Sequence, residues 1–159
     1  MIAKASFLIN LWIERLLCGM GLTMTLVVAV QVFFRYVMNH SLFWSEELAR
    51  FLLVWLTFLG ATSAYYRKVH PGVDFVFDKL SPVQKKTALV ISSAASMVLF
   101  AVMIIYGIQF AWFVRMQIFP ALQLPKWVVL AVIPVSGAVF MVHTVSFLLH
   151  LLKRAPHDH

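Results

Sequence analysis

The sequence predicts an all-α membrane protein with four transmembrane helices and a short interfacial amphipathic helix between the second and third. The whole of residues 1–159 reads as a single integral-membrane domain. Three observations carry this. The chain is 62% hydrophobic and only 12% charged, against ~45–50% and ~25% in an average soluble domain. Its charges are displaced to the edges of four charge-free runs, Leu16–Phe34, Phe51–Tyr66, Thr87–Val114 and Trp127–Leu152, of 19, 16, 28 and 26 residues. The links between the runs are short and hold helix-start and helix-stop signals. This pattern excludes a disordered chain and an ordinary cytosolic enzyme.

A helix needs about 20 mostly apolar residues to cross a ~30 Å hydrocarbon core. The first run meets that length, and the predicted span is about 14–37. Glu14 and Arg15 precede the run and no small-residue cleavage site follows it, so it reads as an uncleaved span. Residues 2–13 either lengthen this helix or lie in the interface. The second run is short, so its helix must reach back through Trp44-Ser45-Glu46-Glu47-Leu48-Ala49-Arg50, giving a span of about 44–66.

His70-Pro71-Gly72 stops the second helix. Val73, Val76, Phe77 and Leu80 then recur at i, i+3, i+4 and i+7, which predicts an amphipathic helix over about 72–80, lying apolar face down in the interface. Ser81-Pro82-Val83-Gln84 has serine at the N-cap, proline at the first helical position and glutamine at the third. It is a capping box that opens the third span, about 83–114. Pro120 and Pro125 mark the next connection. Pro134 and Gly137 predict a kink in the fourth span, about 126–152.

With four crossings the termini share one side with the 67–86 connection. That side holds nine of the 13 basic residues (Lys4, Arg15, Arg67, Lys68, Lys79, Lys85, Lys86, Lys153, Arg154), and Arg35, Arg50, Arg115 and Lys126 hold the other. The imbalance places both termini in the cytoplasm. The formal charge of +7 is spread in ones and twos, a pattern suited to lipid headgroups and not to nucleic acid.

The densest chemistry lies in Arg35, Trp44, Glu46, Glu47 and Arg50. Carboxylates and an arginine at the top of a membrane helix are expensive unless paired. Glu46 and Arg50 stand at i, i+4 with the acid first, the favourable order, and Glu47 and Arg50 at i, i+3. One reading is a self-contained cap with Trp44 in the aromatic belt. The other leaves one acid for Arg35 or for a partner, because Arg50 cannot fully satisfy both. Gly60 and Ala64 are small residues four apart that permit close helix approach, as are Ser92 with Ser96 and Gly107 with Ala111.

The same stretch carries a resemblance. Phe33-Phe34-Arg35-Tyr36, then Trp44-Ser45-Glu46-Glu47-Leu48-Ala49-Arg50, then the aromatic-rich Phe51–Ala61 resemble the small membrane subunit, DctQ type, of tripartite ATP-independent periplasmic (TRAP) transporters. Arg67-Lys68-Val69-His70 and Val73-Asp74 also look like the family's exit from the second helix, although Pro71-Gly72 departs from its usual spelling. The motifs lie within about residues 31–80; beyond them the resemblance is one of size and four-helix layout.

The resemblance implies a multi-pass protein of the bacterial inner membrane. It also implies two protein partners, a large multi-helix permease subunit and a periplasmic substrate-binding protein. Together they would import an organic acid such as a C4-dicarboxylate or sialic acid on a sodium gradient. Sodium and substrate sites would belong to the large subunit. This chain would brace it in membrane lipid, add to the docking surface, and hold no cofactor or metal of its own. The residues agree with that division: no run has a charge at its centre, and no discontinuous-helix pair suggests a midplane site.

Two competing classes are weaker. A haem-binding membrane anchor needs histidines on facing helices, but His143 and His150 share one helix and His40, His70, His157 and His159 lie in connections or the tail. A small four-helix exporter needs an acid within a span. No nucleophile–base set, phosphate loop or metal spacing supports an enzyme.

Overall fold

A computed structural model describes residues 2–67 and 81–153. The described residues form five α-helices: α1 (Ile2–Tyr36), α2 (Phe43–Tyr66), α3 (Pro82–Phe113), α4 (Lys126–Leu130) and α5 (Val132–Lys153). Four segments are long and apolar enough to cross a membrane, with α4 and α5 together supplying the fourth. The all-helical, four-span class is therefore the one the sequence predicts. The expected interfacial helix over 72–80 lies outside the described residues.

α1 has 35 residues, about 52 Å at ~1.5 Å per residue. Residues 2–13 thus lengthen the first helix. The six-residue link to α2 reverses direction at Asn39, whose φ of 51° lies in the left-handed region that asparagine tolerates. The His40 amide donates to the Phe34 carbonyl at 3.0 Å and closes the helix end.

The capping box at α3 forms as spelled. The Gln84 amide donates to Ser81 Oγ at 3.4 Å, and the Ser81 amide donates to Gln84 Oε1 at 3.0 Å. Replacing Ser81 by Ala is expected to cost about 1 kcal/mol, read as a lower melting temperature, while Ser81→Asp should retain most of it.

The fourth span breaks at Ala131, one turn before Pro134. Proline has no amide to offer the Leu130 carbonyl, and its ring crowds that carbonyl. The kink therefore appears ahead of the residue that causes it. Gly137 contributes to packing. A Cβ there would lie 3.0 Å from Ile104 Cγ1 and 3.2 Å from the Phe100 carbonyl oxygen. At Gly107 a Cβ would lie 2.9 Å from Pro134 Cδ and 3.1 Å from Pro134 N. These two glycines set the α3–α5 crossing.

The helices pack as two pairs, α1 with α2 and α3 with α5, and α2 against α5 joins them. The core is small. Ile13, Leu59 and Val132 are buried together, flanked by Leu17, Trp55 and Phe58. Phe100 and Phe140 stack at 4.6 Å, and Tyr65 meets both rings edge-on at 5.6 and 5.5 Å. The remaining interior is largely small and polar: Ser6, Ser45, Thr62, Ser136 and Thr144 are almost fully buried. In lipid, where apolar burial gives no drive between helices, close packing and interhelical hydrogen bonds hold such a bundle.

Candidate interaction site at the helix rim

At one end of the bundle the C-terminus of α1, the N-terminus of α2 and the connection from α3 to α4 meet. The sequence candidates gather there, in the arrangement of the second reading, which leaves an acid for Arg35. Glu46 turns across to α1, where Arg35 Nη1 lies 4.0 Å away and Gln31 Nε2 donates at 3.4 Å. Both ion-pair members are about half exposed, so the contact is loose. Glu46→Gln is expected to change stability by no more than about 0.5 kcal/mol, measured by thermal unfolding in detergent.

Glu47 has a different role. Its Oε2 accepts from the backbone amides of Ala121 and Leu122 at 3.0 and 2.9 Å. Those amides belong to a tight loop. Ile118 bridges Pro125, the Phe119 amide donates to Leu124 at 2.9 Å, and the Lys126 amide donates to Gln117 at 2.8 Å. Gln123 turns the loop with φ of 54°. Glu47 thus ties α2 to the chain entering the fourth span. The sequence does not reveal this bond, because an amide donor in a loop is carried by every residue type except proline.

Four basic residues stand at this end. Arg35 faces Glu46. Arg115 lies over the Trp112 ring at 4.2 Å and donates to the Trp112 carbonyl at 3.1 Å. Lys126 donates to Gln117 Oε1 at 3.0 Å. Arg50 is exposed and has no carboxylate partner among the described residues. The Glu46–Arg50 helix pair of the first reading does not form, and the Arg35 alternative does. Ser45, fully buried, donates to the Leu42 carbonyl at 2.6 Å and holds the start of α2, with Trp44 on the exposed side.

The opposite end carries a polar ladder that the sequence reading missed. Ser6, Asn10 and Glu14 lie four apart on α1. Glu14 Oε1 accepts from Asn10 at 2.7 Å, Ser63 at 3.2 Å, and Arg67 Nη2 and Nε at 2.7 and 3.0 Å. Ser6 Oγ meets His143 Nδ1 at 2.7 Å, and the Tyr66 ring lies 5.0 Å from the His143 ring. The available signals were the spacing of four on α1 and the matching Ser63–Arg67 spacing on α2. His143 is thus bonded to a serine, not set opposite a second histidine. Among the described residues no three His, Cys, Asp or Glu side chains gather as a metal site.

Gly60 and Ala64 take different places. A Cβ on Gly60 would lie 4.0 Å from Leu17, ordinary contact with α1, and Ala64 is exposed. Among the described glycines the tight approaches fall at Gly137 and at Gly107, the latter one of the small residues read as permitting close helix approach.

Residues 24–154 match the family described as the DctQ component of tripartite ATP-independent periplasmic transporters. The chain is 35% identical over 86 residues to a sialic acid TRAP transporter small permease protein of Vibrio cholerae, covering 54% of this chain and 49% of that one. It is 27% identical over 146 residues to an ectoine TRAP transporter small permease protein of Halomonas elongata, covering 89% and 73%. It is also 27% identical over 132 residues to an isethionate TRAP transporter permease protein, DctMQ, of Oleidesulfovibrio alaskensis, covering 76% of this chain and 20% of that one. The chain spans about half the length, or less, of several curated relatives that it matches. A match over most of the sequence, in a four-span helical protein, places it in a family of transporter components and not of enzymes: the chain belongs to the DctQ component family of the tripartite ATP-independent periplasmic transporters.

Proposed function

We propose that this chain is the scaffold subunit of a sodium-coupled, binding-protein-dependent importer of organic acids. It braces a large permease subunit in the inner membrane, contributes to docking of a periplasmic substrate-binding protein, and transports nothing alone. The observation that carries this reading is the placement of charge. Glu14, Glu46 and Glu47 lie at the two ends of the bundle, and each has a structural partner in Arg67, Arg35 or the loop amides. None stands at mid-span where an anionic substrate or a coupling ion would need it. The substrate is an organic acid chosen by the partner subunits, with C4-dicarboxylates and sialic acid as candidates.

In this reading both termini are cytoplasmic and the rim of Arg35, Trp44, Glu46, Glu47 and Arg50 faces the periplasm. The nine-to-four split of basic residues supports that orientation. Activity reporters fused at Gln123 and Lys153 test it: a periplasmic signal at Gln123 and a cytoplasmic one at Lys153 are expected, and the reverse overturns it.

The function is tested by purifying the tagged chain from membranes that also express the large permease subunit. Co-purification is expected, and vesicles holding this chain alone should show no sodium-driven uptake of any carboxylate. Uptake by the chain alone refutes the scaffold role. Replacing Glu46, Glu47 or Arg50 should weaken assembly or binding-protein docking without changing sodium affinity; a primary loss of sodium affinity contradicts it.

A further inference from the structure

The break in the fourth span opens a wedge beside the third. Gly107 and Pro134 hold α3 against α5, so closely that a Cβ on Gly107 would lie 2.9 Å from Pro134 Cδ. Toward the rim from that contact, the break at Ala131 lets α4 depart from the line of α5. A cleft of about 430 Å³ lies there between α3 and α4. Ile108, Ala111 and Trp112 form one wall, and Trp127 and Pro134 the other. Ala111, one turn beyond Gly107, is too small to fill the gap. Among the described residues, Arg115 is the one charged side chain in an otherwise apolar lining.

The depth of the cleft matches one leaflet. Arg115 stands about 12 Å along the axis from Gly107, close to half of the ~30 Å hydrocarbon core. The closed end therefore lies near mid-membrane and the charged end at the headgroups, where Trp112 and Trp127 belong as interfacial aromatics. The Arg115 guanidinium is held in place over the Trp112 ring at 4.2 Å. Its bond to the Trp112 carbonyl at 3.1 Å uses one of five N–H donors. Lys126 is drawn to the same end through Gln117, which accepts its amide at 2.8 Å and its Nζ at 3.0 Å. Neither cation has a carboxylate partner among the described residues, and Glu47 is committed to the amides of Ala121 and Leu122. Shape and charge together select the occupant. A transmembrane helix is ~10–12 Å across and needs a groove along the whole span, whereas this one is shut at Gly107 and Pro134. A single acyl chain enters from one leaflet, ends near the midplane, and has its charge at the outer end only.

We propose that the cleft between α3 and α4 seats one acyl chain of an anionic phospholipid, whose phosphate binds Arg115 with Lys126 beside it. Two cations without a carboxylate favour a lipid with net negative charge over a zwitterionic one, and the planar guanidinium suits a phosphate's paired oxygens. The proposal needs only that the four spans lie in a bilayer, so it stands apart from the scaffold function.

The test titrates the full chain in detergent with dioleoylphosphatidylglycerol or dioleoylphosphatidylcholine and counts retained lipids by native mass spectrometry. One phosphatidylglycerol per chain should be retained, about fivefold more tightly than phosphatidylcholine. Arg115→Gln should weaken phosphatidylglycerol about fivefold. Arg15→Gln, which removes an arginine lying over Trp12 outside the cleft, should leave the retained lipid unchanged. Ala111→Phe fills the cleft and should abolish retention of both lipids in a chain that remains monodisperse. Equal affinity for the two lipids overturns the proposal, as does unchanged binding in Arg115→Gln or in monodisperse Ala111→Phe. An equal loss in Arg15→Gln overturns it too, because the binding would then follow net charge alone. The photo-crosslinker p-benzoylphenylalanine at Ile108 provides a second reading, in membranes that also hold the large permease subunit. A phospholipid adduct is expected; an adduct with the large subunit in its place puts protein in the cleft and overturns the lipid seat.

Discussion

Gly107→Leu should separate α3 from α5. In a helix interior a larger residue usually improves on glycine by ~0.5–1 kcal/mol, so the expected sign here is reversed. The reason is contact with backbone: a Cβ at Gly107 would stand 2.9 Å from Pro134 Cδ and 3.1 Å from Pro134 N. Neither atom can swing away, because the proline ring fixes its own backbone. Overpacking of this kind costs about 3 kcal/mol, or roughly 10 °C in melting temperature for a domain of this size. Thermal unfolding in detergent reads it. Gly19→Leu is the control, since a Cβ there meets nothing within 4 Å, and it should not lower the melting temperature but raise it by up to about 3 °C.

The second large effect is expected at Glu47. One carboxylate oxygen holds the amides of Ala121 and Leu122 at 3.0 and 2.9 Å. Charge-assisted bonds of this type are worth about 2 kcal/mol, and most of that should be lost in Glu47→Ala. The effect is local: the 117–126 loop opens while the helices persist. Hydrogen exchange at residues 121 and 122 should therefore accelerate roughly 30-fold, the factor that ~2 kcal/mol corresponds to. Glu47→Gln keeps one acceptor and should fall between. Exchange unchanged in Glu47→Ala would mean that the loop holds itself. The contrast with Glu46, one residue earlier and only loosely paired across a half-exposed gap, separates two acids that the sequence presents as equivalent.

What was legible in the sequence follows from which forces are local. The four spans were legible because a bilayer demands long apolar runs and drives charge to their ends. The capping box at Ser81 was legible because all its parts lie within four residues. The break at Ala131 was displaced from its cause, because proline disturbs the carbonyl one turn before it. Spacing alone left open whether Glu46 pairs with Arg50 or is left for Arg35, because i, i+4 ion pairs are worth only a few tenths of a kcal/mol. Glu46 faces Arg35 and Gln31 across the interhelical gap. Glu47 bonds to backbone amides more than seventy residues away, and no residue code marks such a donor. The ladder of Ser6, Asn10 and Glu14 did leave a periodic trace. Its meaning depended on Ser63, Arg67 and His143 arriving from α2 and α5.

These contacts describe a molecule stiffened at both ends. Glu14 and Arg67 lock α1 to α2 at one end, and Glu47 locks α2 to the entry of the fourth span at the other. Between the ends, Gly107 and Gly137 let α3 and α5 touch backbone to side chain. Such a bundle suits a part that stays fixed while another moves against it.

The most direct measurement is sodium-driven substrate uptake by the large permease subunit in vesicles, with its binding protein supplied, in the presence and absence of this chain. Uptake is expected only when this chain is present, and it should fall when Arg50 is replaced by Gln. Equal uptake with and without the chain would contradict the scaffold role.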